Sequence, residues 1–180
     1  MTIRPFQLLI LVPVFLTLLF STHGSFAQVT PKSDAPQKGN DLGIFFGPFL
    51  PYKIPGVTEV LNGWGTRGTL WTPKGFVEAE YYDARGAGVS YHSGSLTYRM
   101  DVFRDFFTAH FILGGHLDYY QPLDLEAKKA FGWHYGGGIA LPLAGPFYLR
   151  SDFKARFSPG NSTIVSIGLL YRFSGGSSEQ

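Results

Sequence analysis

The stretch Ser162-Thr163-Ile164-Val165-Ser166-Ile167-Gly168-Leu169-Leu170-Tyr171-Arg172-Phe173 decides the fold class of this chain. It is rich in β-branched and aromatic residues and lacks proline, which predicts one long strand ending on an aromatic ring. Side chains alternate between the two faces of a strand, so this strand has an apolar face and a small, polar face. The apolar face comprises Thr163, Val165, Ile167, Leu169, Tyr171 and Phe173, and the other carries Ser166, Gly168 and Arg172.

The composition favours strands and turns over helices. Of the 180 residues, 17% are aromatic, and there are 23 Gly and 12 Pro. The chain contains no cysteine, which excludes a disulfide framework and a lipid-modified N-terminal cysteine. The formal net charge of +2 lacks the strong basic excess of nucleic-acid-binding proteins.

The first 27 residues have the pattern of a cleaved signal peptide. Arg4 precedes an apolar run, Phe6–Phe20, and a small-x-small motif ends at Ala27, which predicts cleavage before Gln28. Pro13 interrupts the apolar run and no basic flank follows it, which argues against a membrane anchor. We therefore expect an exported protein.

The strand-like stretches that follow lie within residues 41–173, and turn signals separate them. Longer links alternate with tight ones, which is typical of an up-and-down sheet with loops on one side and turns on the other. We expect residues 28–40 to be a flexible periplasmic lead-in and 174–180 a short polar tail. The faces of the first stretch cannot be sorted from the pattern. The eight predicted strands are Leu42–Leu50, Gly63–Trp71, Phe76–Asp83, Val89–Phe103, Phe107–Tyr120, Trp133–Leu143, Phe147–Phe157 and Ser162–Phe173.

Charges of both signs recur in mid-strand on one face of the predicted strands. Acids and bases nearly balance, as they must if they face the narrow lumen of an eight-stranded barrel, where an unpaired charge is costly. The predicted lumen charge network comprises Arg67, Glu78, Glu80, Arg99, Asp101, Asp118, Arg150, Asp152, Lys154, Arg156 and Arg172.

Aromatic residues concentrate at the two ends of the predicted strands, and mid-strand apolar positions are mostly aliphatic. Two aromatic bands around an aliphatic belt are typical of a barrel whose outer face meets lipid. The alternative, a soluble lipocalin-like barrel with its apolar face inside, gives no reason to sort rings by depth. The predicted loop-end band is Trp64, Tyr81, Tyr82, Tyr91, Tyr119, Tyr120, Trp133 and Tyr135. The predicted turn-end band is Trp71, Phe76, Phe103, Phe107, Phe147, Tyr171 and Phe173.

Glycines on the polar face support the same arrangement. A tight hairpin at residues 144–146 places Gly136 opposite Lys154 and Gly138 opposite Asp152. A comparable register across the last connection places Gly168 opposite Asp152 as well. Glycines that face long charged side chains make room inside a crowded barrel.

The spacing of Ser166, Gly168, Tyr171 and Phe173 resembles the terminal signal by which outer-membrane β-barrels are recognised for insertion. With the architecture above, residues 40–173 resemble the small OmpA/OmpX and opacity-porin-like group. The resemblance implies an all-β fold, an eight-stranded antiparallel up-and-down transmembrane barrel with a closed, polar, side-chain-filled lumen. It also implies a monomer in the outer membrane of a Gram-negative bacterium, inserted by the barrel-assembly machinery and surrounded by membrane lipid and lipopolysaccharide. The expected role is structural or surface-interacting, without enzymatic activity, cofactor or nucleic-acid partner.

Some small outer-membrane barrels modify lipid A, which makes an acyl hydrolase or transferase the first alternative. A Ser-His-Asp cluster suits acyl transfer, and plausible registers bring Ser93 or Ser95 near His116 and set Asp118 opposite His134. The alternative interpretation is a structural network of hydrogen bonds near the rim of the lumen, without a catalytic role. The lipid A deacylase family has a His-x-Ser-Asn motif, which His92-Ser93-Gly94 does not reproduce.

Three further possibilities are weaker. His116, Asp118 and His134 are metal-ligating residue types, but their spacing indicates no closed shell. A narrow pore is disfavoured by the charged interior. The link Gln121–Gly132 is expected to form a loop with a short helical turn, either simply solvated or in contact with lipopolysaccharide or a partner.

Overall fold

In the computed structural model, the described residues are 39–86, 88–104, 106–122, 126–158 and 160–174, with Phe103, Arg104 and Ser174 described by their backbone alone. The predicted signal peptide, residues 28–38 of the lead-in and residues 175–180 lie outside this part of the chain. No helix in the described part is long and apolar enough to cross a membrane.

Eight antiparallel strands form a closed barrel in which each strand pairs with its sequence neighbours and the last pairs with the first. This confirms the predicted fold class, and each predicted strand corresponds to an observed one. The strands are β1 Gly39–Tyr52, β2 Leu61–Thr72, β3 Gly75–Gly86, β4 Val89–Arg104, β5 Thr108–Gln121, β6 Lys128–Pro142, β7 Phe147–Phe157 and β8 Asn161–Ser174.

Burial alternates along the strands as the period of two predicts. In β5, Ile112 and His116 are 3% and 1% exposed and face the lumen, whereas Phe111 and Leu117 are each 59% exposed on the outside. β7 repeats this pattern, with its charged side chains inside. The apolar face therefore points outward and the polar face inward.

The closing seam joins β1 to β8, the partner predicted for the first strand. Asp41 pairs with Arg172 and Phe46 with Ile167 along an antiparallel register. The structure also sorts the two faces of β1, which the sequence pattern did not. Asp41, Phe45 and Phe49 are buried inside, whereas Leu42, Ile44 and Phe46 are exposed outside.

The predicted boundaries differ most at β6, which begins at Lys128 rather than at Trp133. The preceding link is therefore shorter than predicted, and Lys128 to Gly132 form strand rather than a helical turn. The register shifts accordingly. Asp118 lies opposite Ala130, and His134 lies opposite Gly114, so the predicted Asp118–His134 pairing is wrong.

The register predicted for the glycines is confirmed in the β6–β7 hairpin and wrong in the β7–β8 hairpin. Gly136 lies opposite Lys154 and Gly138 opposite Asp152, as predicted. Gly168, however, lies opposite Arg150 rather than Asp152, because β8 is displaced along β7 by two residues relative to the predicted register. The face is still the predicted one, since a shift of two residues preserves the alternation.

The predicted loop-end aromatic band is partly wrong. Tyr82, Tyr91 and Tyr120 are 3%, 1% and 2% exposed and lie in the lumen. At the turn end, Phe76 is also inside, at 2% exposed. Neighbouring rings in one strand must point to opposite faces, so Tyr81 and Tyr82 cannot both face lipid. The predicted band members exposed on the outside are Trp64, Tyr81, Tyr119, Trp133, Tyr135, Phe147, Tyr171 and Phe173.

Candidate functional site in the barrel lumen

The lumen is the candidate functional site, and Glu78 lies at the centre of its charged half. Glu78 is fully buried and accepts hydrogen bonds from Arg150 Nη1 at 2.6 Å and Nη2 at 3.0 Å. Arg99 Nη1 donates to the same carboxylate at 2.8 Å, and Thr69 Oγ1 at 3.4 Å. One carboxylate from β3 thereby joins guanidinium groups of β4 and β7 across the barrel axis.

Asp152 and Glu80 extend this network toward the loops. Asp152 Oδ1 accepts from Arg150 Nε at 2.9 Å and from His110 Nε2 at 2.7 Å. Arg67 links the two acids, since its Nη1 lies 2.7 Å from Asp152 Oδ2 and its Nε donates to Glu80 Oε1 at 2.5 Å. Lys154 also donates to Glu80.

At the turn end, Asp41 closes the network. It accepts from Arg172 Nε at 2.7 Å and Nη2 at 3.1 Å, and Arg99 lies 3.8 Å away. Arg99 also pairs with Asp101 at 3.1 Å. The sequence did not identify Asp41 as a lumen charge because β1 showed no clear alternation. Its position opposite Arg172 in the seam between β1 and β8 would have identified Asp41 as a lumen charge.

With Asp41 added, the acids and bases that the described strands place in the lumen are equal in number, and each has a partner of opposite sign. This balance matters because an uncompensated buried charge costs several kcal/mol. The bases are Arg67, Arg99, Arg150, Lys154, Arg156 and Arg172, and the acids are Asp41, Glu78, Glu80, Asp101, Asp118 and Asp152.

The candidate catalytic residues lie together above the charge network. Arg156 Nη2 donates to Asp118 Oδ1 at 2.7 Å and to Ser93 Oγ at 2.8 Å. Ser95 Oγ donates to Glu80 at 3.2 Å. Ser95 lies opposite His116 across β4 and β5, as predicted, but within the described part of the chain neither serine is hydrogen-bonded to a histidine, so these residues do not form a Ser-His-Asp triad.

His116 and His134 form a hydrogen-bonded chain whose proton positions can be assigned. His116 Nε2 lies 3.3 Å from the carbonyl oxygen of Ser158 and must carry the proton. For two neutral imidazoles, His116 Nδ1 then accepts from His134 Nδ1, at 3.3 Å, and His134 Nε2 accepts from Thr97 Oγ1, at 2.9 Å. Each ring nitrogen of the two histidines already has a hydrogen-bond partner in this arrangement. No group of three or more His, Cys, Asp or Glu side chains in the described ranges is placed to hold a metal ion.

An apolar cap closes the loop end of the lumen. Phe49 stacks on Tyr91 with ring centroids 4.2 Å apart, and Phe45 stacks on Tyr82 at 5.9 Å. The loop between β1 and β2 folds inward, so that Ile54 and Val57 are only 5% and 3% exposed. The apolar cap comprises Phe45, Phe49, Ile54, Val57, Leu61, Tyr82, Ala84, Val89, Tyr91, Tyr120 and Ile164.

Between the cap and the charge network the described side chains enclose a cavity of about 20 Å³, lined in part by Ser93, Ser95, His134 and Lys154. This volume suits about one water molecule. The lumen is otherwise filled by side chains, as the sequence led us to expect for a barrel of this strand number.

The residues of the predicted insertion signal occupy both faces of β8. Ser166 is buried at 4% exposed, and Gly168 also faces the lumen. Tyr171 and Phe173 point outward at 40% and 47% exposed, with ring centroids 4.8 Å apart. An aromatic cluster on the outer surface therefore ends the last strand.

Comparison with known proteins identifies the fold. No protein-family model and no curated protein matches the sequence. The N-terminal β-barrel domain of Pseudomonas aeruginosa OprF is similar, with a TM-score of 0.63 and 9% identity, covering 76% of this chain and 98% of that one.

Two further structures give the same result. Neisserial surface protein A matches with a TM-score of 0.60 and 8% identity, covering 75% of this chain and 96% of that chain. Ail of Yersinia pestis, solved with the heparin analogue sucrose octasulfate, matches with a TM-score of 0.53 and 12% identity, covering 76% and 99%. The chain therefore has the fold of the small eight-stranded outer-membrane β-barrels.

Proposed function

We propose that this chain is an integral outer-membrane barrel with a non-enzymatic, structural or surface-interaction role and a lumen that stays closed. The observation that carries the proposal is the inverted distribution of side chains. Arg150 and Glu78 are 1% and 0% exposed inside, whereas Leu96 and Leu113 are 63% and 59% exposed outside. A barrel with charges inside and aliphatic side chains outside suits a lipid environment.

The extent of the exposed apolar belt makes a soluble barrel a poor alternative. Soluble monomers rarely expose apolar patches larger than a few hundred Å². Here the exposed side chains surround the barrel, and lipid would cover them. Members of the belt include Leu42, Ile44, Phe46, Leu70, Leu96, Met100, Phe111, Leu113, Leu117, Phe131, Phe153 and Leu169.

The interior supports a closed role rather than catalysis or conduction. Ser93 and Ser95 are engaged by Arg156 and Glu80, and the apolar cap covers them from the loop side. Arg67, Glu80 and Lys154 bridge the lumen at mid-depth through buried ion pairs. An ion that crossed the barrel would have to break these pairs in a region of low dielectric.

For assembly, we infer that Tyr171 and Phe173 form the part of β8 that the barrel-assembly machinery recognises. Both rings lie outside at the turn end, where a partner can reach them before insertion. The same rings then lie at the periplasmic interface of the bilayer, a position that aromatic side chains favour.

The test is expression in a Gram-negative host, followed by membrane fractionation and conductance recording. We expect the protein in the outer-membrane fraction, faster gel migration before boiling than after, and no steady single-channel current. As a positive control, a triple variant, Arg67→Ser, Glu80→Ser and Lys154→Ser, removes the mid-depth bridge and is expected to conduct. Recovery of the wild type as a detergent-free periplasmic monomer would refute the proposal, as would a large steady current. An altered acyl pattern of lipid A in expressing cells would instead favour an enzyme.

A further inference from the structure

A row of polar side chains crosses the outer face of the barrel at the loop end. The strand registers place Asp83 beside His92, His92 beside Tyr119 and Tyr119 beside Lys129, on β3 to β6. Arg85 follows two residues after Asp83 on the same face of β3. We call these five residues the outer polar row.

The outer polar row is held together by its own contacts. Asp83 is only 6% exposed although it lies on the outer face, because its neighbours cover it. Its Oδ1 accepts from Arg85 Nε at 3.2 Å, and its Oδ2 lies 2.9 Å from His92 Nδ1. The side chain of Arg85 remains 74% exposed, which leaves its two Nη nitrogens available for a bidentate contact.

The surrounding aromatic rings fix the depth of the row. Trp64 pairs directly with Asp83 and is 56% exposed, and Tyr81 and Tyr119 are 43% and 37% exposed on the same face. Such rings favour the interface between hydrocarbon and headgroups. Side chains at their level meet the headgroups of the outer leaflet rather than its acyl chains.

On the described side chains, charge on the outer face is confined to one side of the barrel. Among the described side chains that the strands point outward, the charged ones are Asp83, Arg85 and Lys129, with a net charge of +1. The outward positions of β7, β8, β1 and β2 are apolar or uncharged. The two cations therefore mark one lateral face, formed by β3 to β6.

We propose that the outer polar row binds the headgroup of a lipid that carries two phosphates, with one phosphate on Arg85 and the other on Lys129. The inference rests on the proposed membrane location. Three strand spacings of about 4.8 Å separate Asp83 from Lys129, or about 14 Å along the sheet. Asp83 holds Arg85 at one end of this span, so two phosphates can each meet one cation without either side chain leaning along the sheet toward the other. Tyr119 and His92 lie between the two cations, where they can form hydrogen bonds with the sugar or glycerol part of the headgroup.

The test is titration of the folded barrel, in neutral detergent, with bisphosphorylated lipid A, monophosphorylated lipid A and phosphatidylcholine, followed by native mass spectrometry. We expect the affinity to fall in that order. The double variant Arg85→Gln with Lys129→Gln is expected to bind bisphosphorylated lipid A about thirtyfold more weakly, since each cation near an anionic headgroup layer contributes about fivefold.

The matched control removes two charges elsewhere, Lys53→Gln in the loop after β1 and Lys74→Gln in the turn after β2, and is expected to bind like the wild type. Equal affinity of the Arg85/Lys129 variant and the wild type would overturn the proposal. So would an equal loss in the control, which would indicate long-range charge attraction, or full displacement by millimolar inorganic phosphate. Heat-modifiable migration of each variant tests membrane folding separately. If the double variant does not fold, Lys129→Gln alone must still weaken binding about fivefold.

Discussion

Glu78 receives three hydrogen bonds from two arginines, and its loss should be the most costly single charge removal in the lumen. The variant Glu78→Gln leaves Arg150 and Arg99 facing a neutral amide in place of the buried carboxylate. We expect the free energy of unfolding in detergent to fall by about 3–5 kcal/mol, measured by urea titration of the gel-shift transition. Glu59→Gln, at an exposed loop position, serves as the control and should stay within about 0.5 kcal/mol of the wild type. An equal effect of both variants would contradict this account of the charge network.

Glycine placement gives a second residue-scale prediction. A methyl group at Gly138 would meet the backbone oxygen of Ser151, Asp152 Oδ1 at 2.5 Å and His110 Nε2 at 2.9 Å. We expect Gly138→Ala to lower the free energy of unfolding by about 1–3 kcal/mol, because the Ser151 carbonyl and the side chains of Asp152 and His110 must all move. At Gly94, on the outer face, a methyl group meets nothing within 4 Å, so Gly94→Ala should be neutral or stabilise by up to about 1 kcal/mol. If Gly94→Ala lowered the stability and Gly138→Ala did not, the assignment of Gly94 to the outer face and Gly138 to the lumen would be wrong.

At this scale, the sequence predicted which residues share a face better than which residues touch. Period-two alternation places Asp152 and Lys154 inside together and needs no register. Contacts do depend on register, and the Asp118–His134 pairing failed because the start of β6 was placed five residues too late. His110 was not singled out from the sequence, although it is hydrogen-bonded to Asp152, beside the contacts that this carboxylate makes with Arg150 and Arg67. A lone histidine on a polar face gives no local signal of its partner on another strand.

Among the elements, the loop between β1 and β2 is the clearest case of structure that the sequence did not reveal. Ile54 and Val57 insert into the apolar cap, and the amide of Val57 donates to the carbonyl of Ile54 at 3.1 Å. Alternation describes strands, and it carries no information about a loop that folds back over the lumen. The inward tyrosines of the cap were misplaced for a different reason, because every ring near the loop end was assigned to the outer band although alternation along the strands places some of them inside.

The double variant Ile54→Ser with Val57→Ser should release this loop. Each replacement by serine removes roughly 1.5–3 kcal/mol of stabilisation that comes from burying the apolar side chain. Lys53, which precedes Ile54 in the chain, is already exposed. We expect trypsin to cleave after Lys53 at least tenfold faster than in the wild type, with the barrel itself intact. Val60→Ser, in the same loop but 53% exposed, should leave the cleavage rate unchanged. Unchanged cleavage in the double variant would show that the cap does not hold the loop.

For the whole molecule, the main question is which medium surrounds the barrel, and one substitution separates the two possibilities. Leu96 lies in the middle of β4 and is 63% exposed. In a bilayer, Leu96→Arg should destabilise the protein by about 2–4 kcal/mol, whereas Leu143→Arg, in the turn after β6, should cost at most about 1 kcal/mol. Urea unfolding in lipid vesicles measures both. If the outer face met water, both variants would behave alike, within about 0.5 kcal/mol.

The overall architecture was more predictable than its details because several independent signals agreed. Strand number, alternating link lengths and face chemistry all indicated one closed barrel, and the seam between Leu42–Leu50 and the last strand is present. The pairing of Asp41 with Arg172 was not predictable from local pattern, since it joins residues 131 positions apart. Such contacts follow from closure, which is a property of the whole sheet.

The seam has a consequence for the order of the strands. Gly39 and Ser174 are paired neighbours across it, so a linker of a few residues can join them. A circular permutant that opens in the turn 143–146 would keep every hairpin except the one it cuts, and its closing contacts would be the former β6–β7 pairing. It is expected to refold in detergent, yet Phe173 would then lie in the middle of the chain. Such a permutant would separate closure of the barrel from the recognition role proposed for β8, because closure would survive while Tyr171 and Phe173 would no longer end the last strand.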